Sequence, residues 1–137
     1  MAYLRKRTTI LAETALDYEE GTWTPGASTG TVTPNSRWYR KLGSMVWVGA
    51  SVAFSSSTAT GEQRITNIPF TPVTYSAGYV GFTTWGSTDE PQMMIMVWNS
   101  LDYANIYKTY GAALTPANVS SSRIDFTIGL NISGPFV

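Results

Sequence analysis

Apolar and polar residues alternate with a period of two through most of the chain. The pattern is clearest over Arg123–Ile132: Ile124, Phe126, Ile128, Leu130 and Ile132 face one side. Arg123, Asp125, Thr127 and Asn131 face the other, with Gly129 between them. Met45–Phe54 repeats the pattern, with Val46, Val48, Ala50, Val52 and Phe54 on the core side. Trp38–Lys41 precedes it across Leu42-Gly43-Ser44, a connection short enough for an antiparallel hairpin. Further strands are predicted near Thr22–Thr24, Arg64–Thr66, Ala77–Trp85, Pro91–Asn99 and Tyr103–Lys108. Thr33-Pro34-Asn35-Ser36, Ser55–Gly61, Gly86–Glu90 and Leu114–Ser122 read as turns and loops between them. Many short strands without a long helical period predict an all-β domain, an antiparallel β-sandwich of jelly-roll type or a barrel, behind a short N-terminal arm.

One predicted strand breaks the alternation. Met93, Met94, Ile95, Met96, Val97 and Trp98 offer no polar face. In a small antiparallel fold such a strand is either internal between two layers or covered by another chain. Methionine is flexible and polarizable, and three of them within four residues favour an adaptable contact. The expectation is therefore a subunit interface, with internal burial as the other reading.

Residues 1–20 read differently from the domain over 21–137. They hold three of the nine bases (Arg5, Lys6, Arg7) and four of the nine acids (Glu13, Asp17, Glu19, Glu20). A helix over Ile10–Leu16 suits the Leu, Ala and Glu there but is marginal at that length. The segment is either a frayed terminus or an arm docked on a neighbour. In the second case Ile10, Leu11 and Leu16 supply apolar contacts while Arg5, Lys6 and Arg7 meet an acidic surface.

Composition narrows the chemistry. The 137 residues are 43% hydrophobic but only 13% charged, with net charge zero. Ser and Thr make up roughly a quarter of the chain, leaving a weakly charged polar surface suited to meeting protein or sugar. Without Cys or His there are no disulfides, thiol nucleophiles, imidazole bases or His/Cys metal ligands. A neutral chain lacks the basic face on which general nucleic-acid binding depends. The longest apolar run, Met93–Trp98, is too short for a membrane helix. Behind Arg5-Lys6-Arg7, Thr8–Leu16 lacks the apolar stretch of a signal peptide. The Asn118-Val119-Ser120 and Asn131-Ile132-Ser133 sequons are accordingly read as chance.

Glycoside hydrolysis needs two carboxyls across a sugar ring. Glu19/Glu20 and Asp89/Glu90 are sequence neighbours, which point to opposite faces of a strand. Asp125 meets Glu62 or Asp102 only through an unforeseen fold. The expectation is no enzyme, no metal and no cofactor. Trp85, Trp98, Tyr103, Tyr107 and Tyr110 lie interleaved with Asn99, Asp102 and Asn105. Rings beside amides and carboxyls suit carbohydrate, so Trp85, Tyr103, Tyr107 and Tyr110 are candidate glycan contacts. The other reading places most of these rings in the core or an interface.

Three motifs carry a resemblance. Tyr18-Glu19-Glu20-Gly21-Thr22-Trp23-Thr24-Pro25, Tyr39-Arg40-Lys41-Leu42-Gly43-Ser44-Met45-Val46-Trp47-Val48 and Arg64-Ile65-Thr66-Asn67-Ile68-Pro69-Phe70 follow one another in order. Together with the Gly-rich stretch Gly78–Trp85 and the last alternating strand, they resemble the C-terminal β domains of bacteriophage tail fibres and tailspikes, from about residue 17 onward. Ile68 stands where that family usually has Leu. The motif residues read as structural: Gly21 for backbone angles other residues avoid, Trp23 to bury a ring, Pro25 for a strand edge. Lys41 is a candidate ion-pair partner for Glu19 or Glu20.

The resemblance implies a homotrimeric β domain on the outside of a virion. The module begins soon after Met1, with no shaft, heptad or collagen-like repeat before it. That predicts a capsid decoration or cement protein, held by its base or arm on the major capsid protein or another virion protein. A receptor-binding fibre or tail-tip protein that recognises host-surface glycan is the alternative. Nucleic acid and membrane are not expected partners.

Overall fold

A computed structural model describes residues 18–83, 93–108 and 113–132. The whole predicted arm up to residue 17 lies outside them, as do Trp85 and Tyr110. Nine strands follow in chain order: β1 (Tyr18–Gly21), β2 (Gly26–Ala27), β3 (Val32–Leu42), β4 (Met45–Phe54), β5 (Arg64–Thr66), β6 (Ser76–Thr83), β7 (Met93–Val97), β8 (Ala104–Lys108) and β9 (Arg123–Asn131). They pair antiparallel in one sheet of order β1-β3-β4-β9-β6-β7-β8-β5-β2, and the described residues contain no helix. The all-β, sandwich-like expectation holds, with the layers arising from one sheet that curls upon itself.

Alternation explains the core. Val46, Val48, Ala50, Val52 and Phe54 of β4 and Ile124, Phe126, Ile128 and Leu130 of β9 are buried. They meet Ile65 of β5, Ile95 and Val97 of β7, and Ala104 and Ile106 of β8 in one cluster. Curling lets one face of a single sheet supply both sides of that cluster, each large apolar side chain contributing about 1.5–3 kcal/mol on full burial. Trp23, between β1 and β2, closes the cluster: its indole N–H donates to Gly49 O (3.2 Å) and its ring meets Phe126 edge-on at 6.4 Å.

Where β9 joins β6 the two backbones lie close. A β-carbon at Gly78 would fall 1.9 Å from Thr127 O, so only glycine permits this seam. Leu42 pairs with Met45 across Gly43-Ser44, and Gly43 has φ +58°, which suits a two-residue hairpin turn with glycine in its first position.

The structure revises several local expectations. β3 begins at Val32 and carries Pro34 inside it, where the sequence predicts a turn. A register shift between Pro34 and Ser36 accommodates the missing amide donor. Thr22–Thr24 forms no strand; β1 lies before it, so Tyr18–Glu20, counted with the arm, pair with β3. Gly21 does not have positive φ. Its role is space, because a β-carbon there would sit 2.8–2.9 Å from the Tyr39 ring. Glu19 stands opposite Lys41 in register and accepts from the Tyr39 hydroxyl at 2.7 Å, a bond that raises the phenol's pKa. The ion pair on this edge includes Arg40 and Glu20 at 3.9 Å, well exposed and worth about 0–1 kcal/mol.

Candidate functional site

The side chains opposite the core form the outer face of the sheet, and this face is unusually apolar at both ends. At one end the β3–β4 register puts Leu42 beside Met45, Arg40 beside Trp47 and Trp38 beside Gly49. Trp38, Leu42, Met45 and Trp47 stay 36–40% exposed. Gly49 lets Trp38 lie flat: a β-carbon there would fall 2.5 Å from the indole. Between Trp38 and the exposed Tyr79 of β6 lies a shallow depression of about 230 Å³ with Ser51, Gly81, Asp125 and Thr127 in its lining. Arg123 grips Asp125 with two hydrogen bonds of 3.0 Å and donates to Ser51 Oγ at 2.9 Å. The Arg123 hydrogen bonds hold the Asp125 carboxyl below its usual range against a partial desolvation.

The apolar strand β7 proves two-faced. Ile95 and Val97 are fully buried in the single chain, while Met94 and the following Trp98 are 42% exposed on the outer face. Of the six residues expected at a subunit interface, Ile95 and Val97 serve the core, Met93 packs partly against it, and Met94, Met96 and Trp98 remain accessible.

At the β7 end of the sheet a second depression, about 210 Å³, is lined by Glu62, Arg64, Trp98, Leu101, Tyr103, Asn105 and Tyr107. Its assembly follows from pairing. Arg64 of β5 stands opposite Asn105 of β8, and Asn105 opposite Met96 of β7. A tight turn, Leu101 N to Trp98 O with Ser100 at φ +65°, carries the chain from Trp98 back toward Tyr103. Asn105 occupies an outward position yet is only 2% exposed. Its Nδ2 donates to Glu62 Oε2 at 2.7 Å, and Arg64 Nη2 reaches the same oxygen at 3.3 Å. The Arg64 guanidinium lies 4.4 Å from the centre of the Tyr103 ring. Trp98 Nε1 donates to the Tyr107 hydroxyl at 3.1 Å, and Tyr75 meets the Trp98 ring edge-on at 5.4 Å.

The structure thus brings Trp98, Tyr103, Tyr107 and Asn105 together as the aromatic pattern suggests. Two contributors escaped that reading. Glu62 and Arg64 arrive through a pairing that spans some forty residues, for which the sequence carries no local signal. Trp47 is legible as an outward position, since the core side of β4 is the even-numbered one, and Trp38 joins it as the partner of Gly49 on the same face. No group of three Asp or Glu that could hold a metal occurs among the described residues. Glu62 and Asp125 are each engaged by their own arginine.

One solved structure gives these observations a frame. The fold is similar to the crystal structure of Dettilon tailspike protein (gp208), with a TM-score of 0.67 over 85% of this chain at 18% identity. The likeness shows a shared fold. This chain spans about a quarter of that protein, 24% of its length. No family model and no curated protein matches the sequence.

Proposed function

We propose that this chain is a non-enzymatic structural component of a bacteriophage virion that works by self-association. The observation that carries the reading is the outer patch of Trp38, Leu42, Met45 and Trp47, in a fold shared with a tailspike protein. Four large apolar side chains on one strand pair are a surface awaiting cover, and the charged pair beside them, Arg40 with Glu20, carries no net charge to repel an identical copy. Tyr79 and Met94 extend the patch across the sheet. The motif resemblance favours a threefold arrangement.

On the virion the trimer acts as a capsid decoration or cement protein on the outer surface, bridging neighbouring subunits of the major capsid protein. Binding only the assembled state stabilises the shell by mass action without rearranging it. Particles deprived of this chain should lose resistance to heat and osmotic shock while still adsorbing to cells. Full resistance in such particles would defeat the cement reading.

The second depression favours another reading, a tail-fibre or tail-tip module that binds a host receptor. Its deletion phenotype is the reverse: robust particles that fail to adsorb.

A further inference from the structure

We infer that the depression formed by Glu62, Arg64, Trp98, Tyr103, Asn105 and Tyr107 binds one uncharged pyranose unit of a glycan, an inference that rests on the receptor-binding reading and gives it a ligand class.

The size of the depression points to a single ring. Pockets that enclose a whole small molecule measure roughly 300–1,000 Å³, and this one holds about 210 Å³. It is suited to one unit of a longer chain that continues into solvent.

Its walls supply an apolar platform. A pyranose presents C–H bonds on its faces and hydroxyls around its rim, so it pairs with an aromatic face flanked by polar groups. The Trp98 ring is fixed by its hydrogen bond to Tyr107 and by the edge of Tyr75, and still leaves two-fifths of its surface open. The Tyr107 hydroxyl, having accepted from Trp98, keeps its own proton to donate.

The polar groups decide the charge. Glu62 receives both Arg64 and Asn105 on Oε2, so Oε1 is the carboxylate oxygen left to accept from a ligand in the depression that Glu62 lines. Arg64 Nε is buried without a hydrogen-bond partner among the described residues, so the guanidinium still has donor capacity to satisfy. One carboxylate and one guanidinium in contact cancel each other. Because Arg64 and Glu62 lie only 3.3 Å apart, a charged sugar drawn to one of them meets the like charge of the other and gains no net attraction from the pair. Hydroxyls donate and accept at once, and they match an acceptor at Glu62 and donors at Arg64 and Tyr107.

Ligand-observed saturation-transfer NMR on the intact protein tests this, with neutral hexose and N-acetylhexosamine oligosaccharides and matched uronic-acid oligosaccharides as probes. Saturation is expected on the ring protons of a neutral probe. Trp98→Ala should weaken that binding about tenfold, the equivalent of one lost stacking contact. Trp98→Phe should retain part of it, and Glu62→Gln, which keeps the shape and the Asn105 bond, should weaken it several-fold. Circular dichroism of each variant confirms that it folds. Binding of uronic-acid probes alone, or equal neutral-sugar binding in Glu62→Gln and the wild type, would overturn the assignment. So would absence of all oligosaccharide binding in a protein whose deletion abolishes adsorption, and that result would leave the receptor reading itself standing. Normal adsorption without the chain would instead remove the receptor reading.

Discussion

The two ends of the outer face use the same rings in different settings. Around Trp38 and Trp47 the neighbours are Leu42, Met45 and a well-exposed Arg40–Glu20 pair. Around Trp98 and Tyr103 the polar side chains hold one another in place: Asn105 to Glu62, Arg64 over Tyr103, Trp98 to Tyr107. Exposed apolar surface without fixed polar partners gives area but little orientation, which suits a broad protein contact. Rings beside aligned donors and acceptors give orientation over a small area, which suits a small polyhydroxyl ligand. One sheet can therefore divide cohesion and recognition between its halves.

The largest predicted effect comes from splitting the halves apart. Gly78→Ala forces a β-carbon against Thr127 O at the β6–β9 seam, and backbone cannot yield as a side-chain tip does. A loss of about 1–3 kcal/mol or more is expected, read as a fall in melting temperature together with loss of both self-association and sugar binding. An unchanged melting temperature would mean that the seam is looser than described.

Trp23→Phe should cost about 1–3 kcal/mol, through the lost bond to Gly49 O and a smaller ring against Phe126. Because Trp23 supports the β4–β9 half, neutral-sugar binding at the β7–β8 end should persist in the folded variant. Equal damage at both ends, seen by the same NMR experiment, would erase the distinction between them.

The smallest effect concerns acid. The Asp125 carboxyl lies below its unfolded pKa when folded, first because Arg123 hydrogen-bonds to it. A depressed carboxyl adds stability above the unfolded value of about 3.9, and that stability is lost as pH falls through the folded value. Asp125→Asn should therefore lower the melting temperature at about pH 7, with the gap to wild type closing toward about pH 3. A gap that stays constant would assign the effect to packing.

Much of this architecture could be read from residue order, and the failures have physical causes. β4, β5 and β9 announce themselves because one face is buried and alternation must follow. The β3–β4 hairpin is legible because Gly43-Ser44 leaves room for little else. β1 was hidden by its charged residues, whose pairing with β3 depends on cross-strand partners such as Tyr39 and Lys41. The first half of β3 was hidden by Pro34, which a strand tolerates only through the local register shift. The rings at the second depression were visible as a cluster along the chain. Glu62 and Arg64 were not, since only the curl of the sheet brings β5 alongside β8. The uniform apolarity of β7 reflects two separate demands, the core for Ile95 and Val97 and the outer face for Met94 and Trp98.

The mass of the intact protein in solution, by sedimentation equilibrium of wild type and Trp47→Ser, tests the account most directly. Trp47 is 40% exposed and lies outside the core cluster, so the substitution should cost the fold only about 1 kcal/mol, the span of strand propensity, and leave it folded. The account predicts three chain masses for the wild type and one for the variant. A wild type that remains a single chain at every concentration, or a variant that assembles equally well, would contradict it.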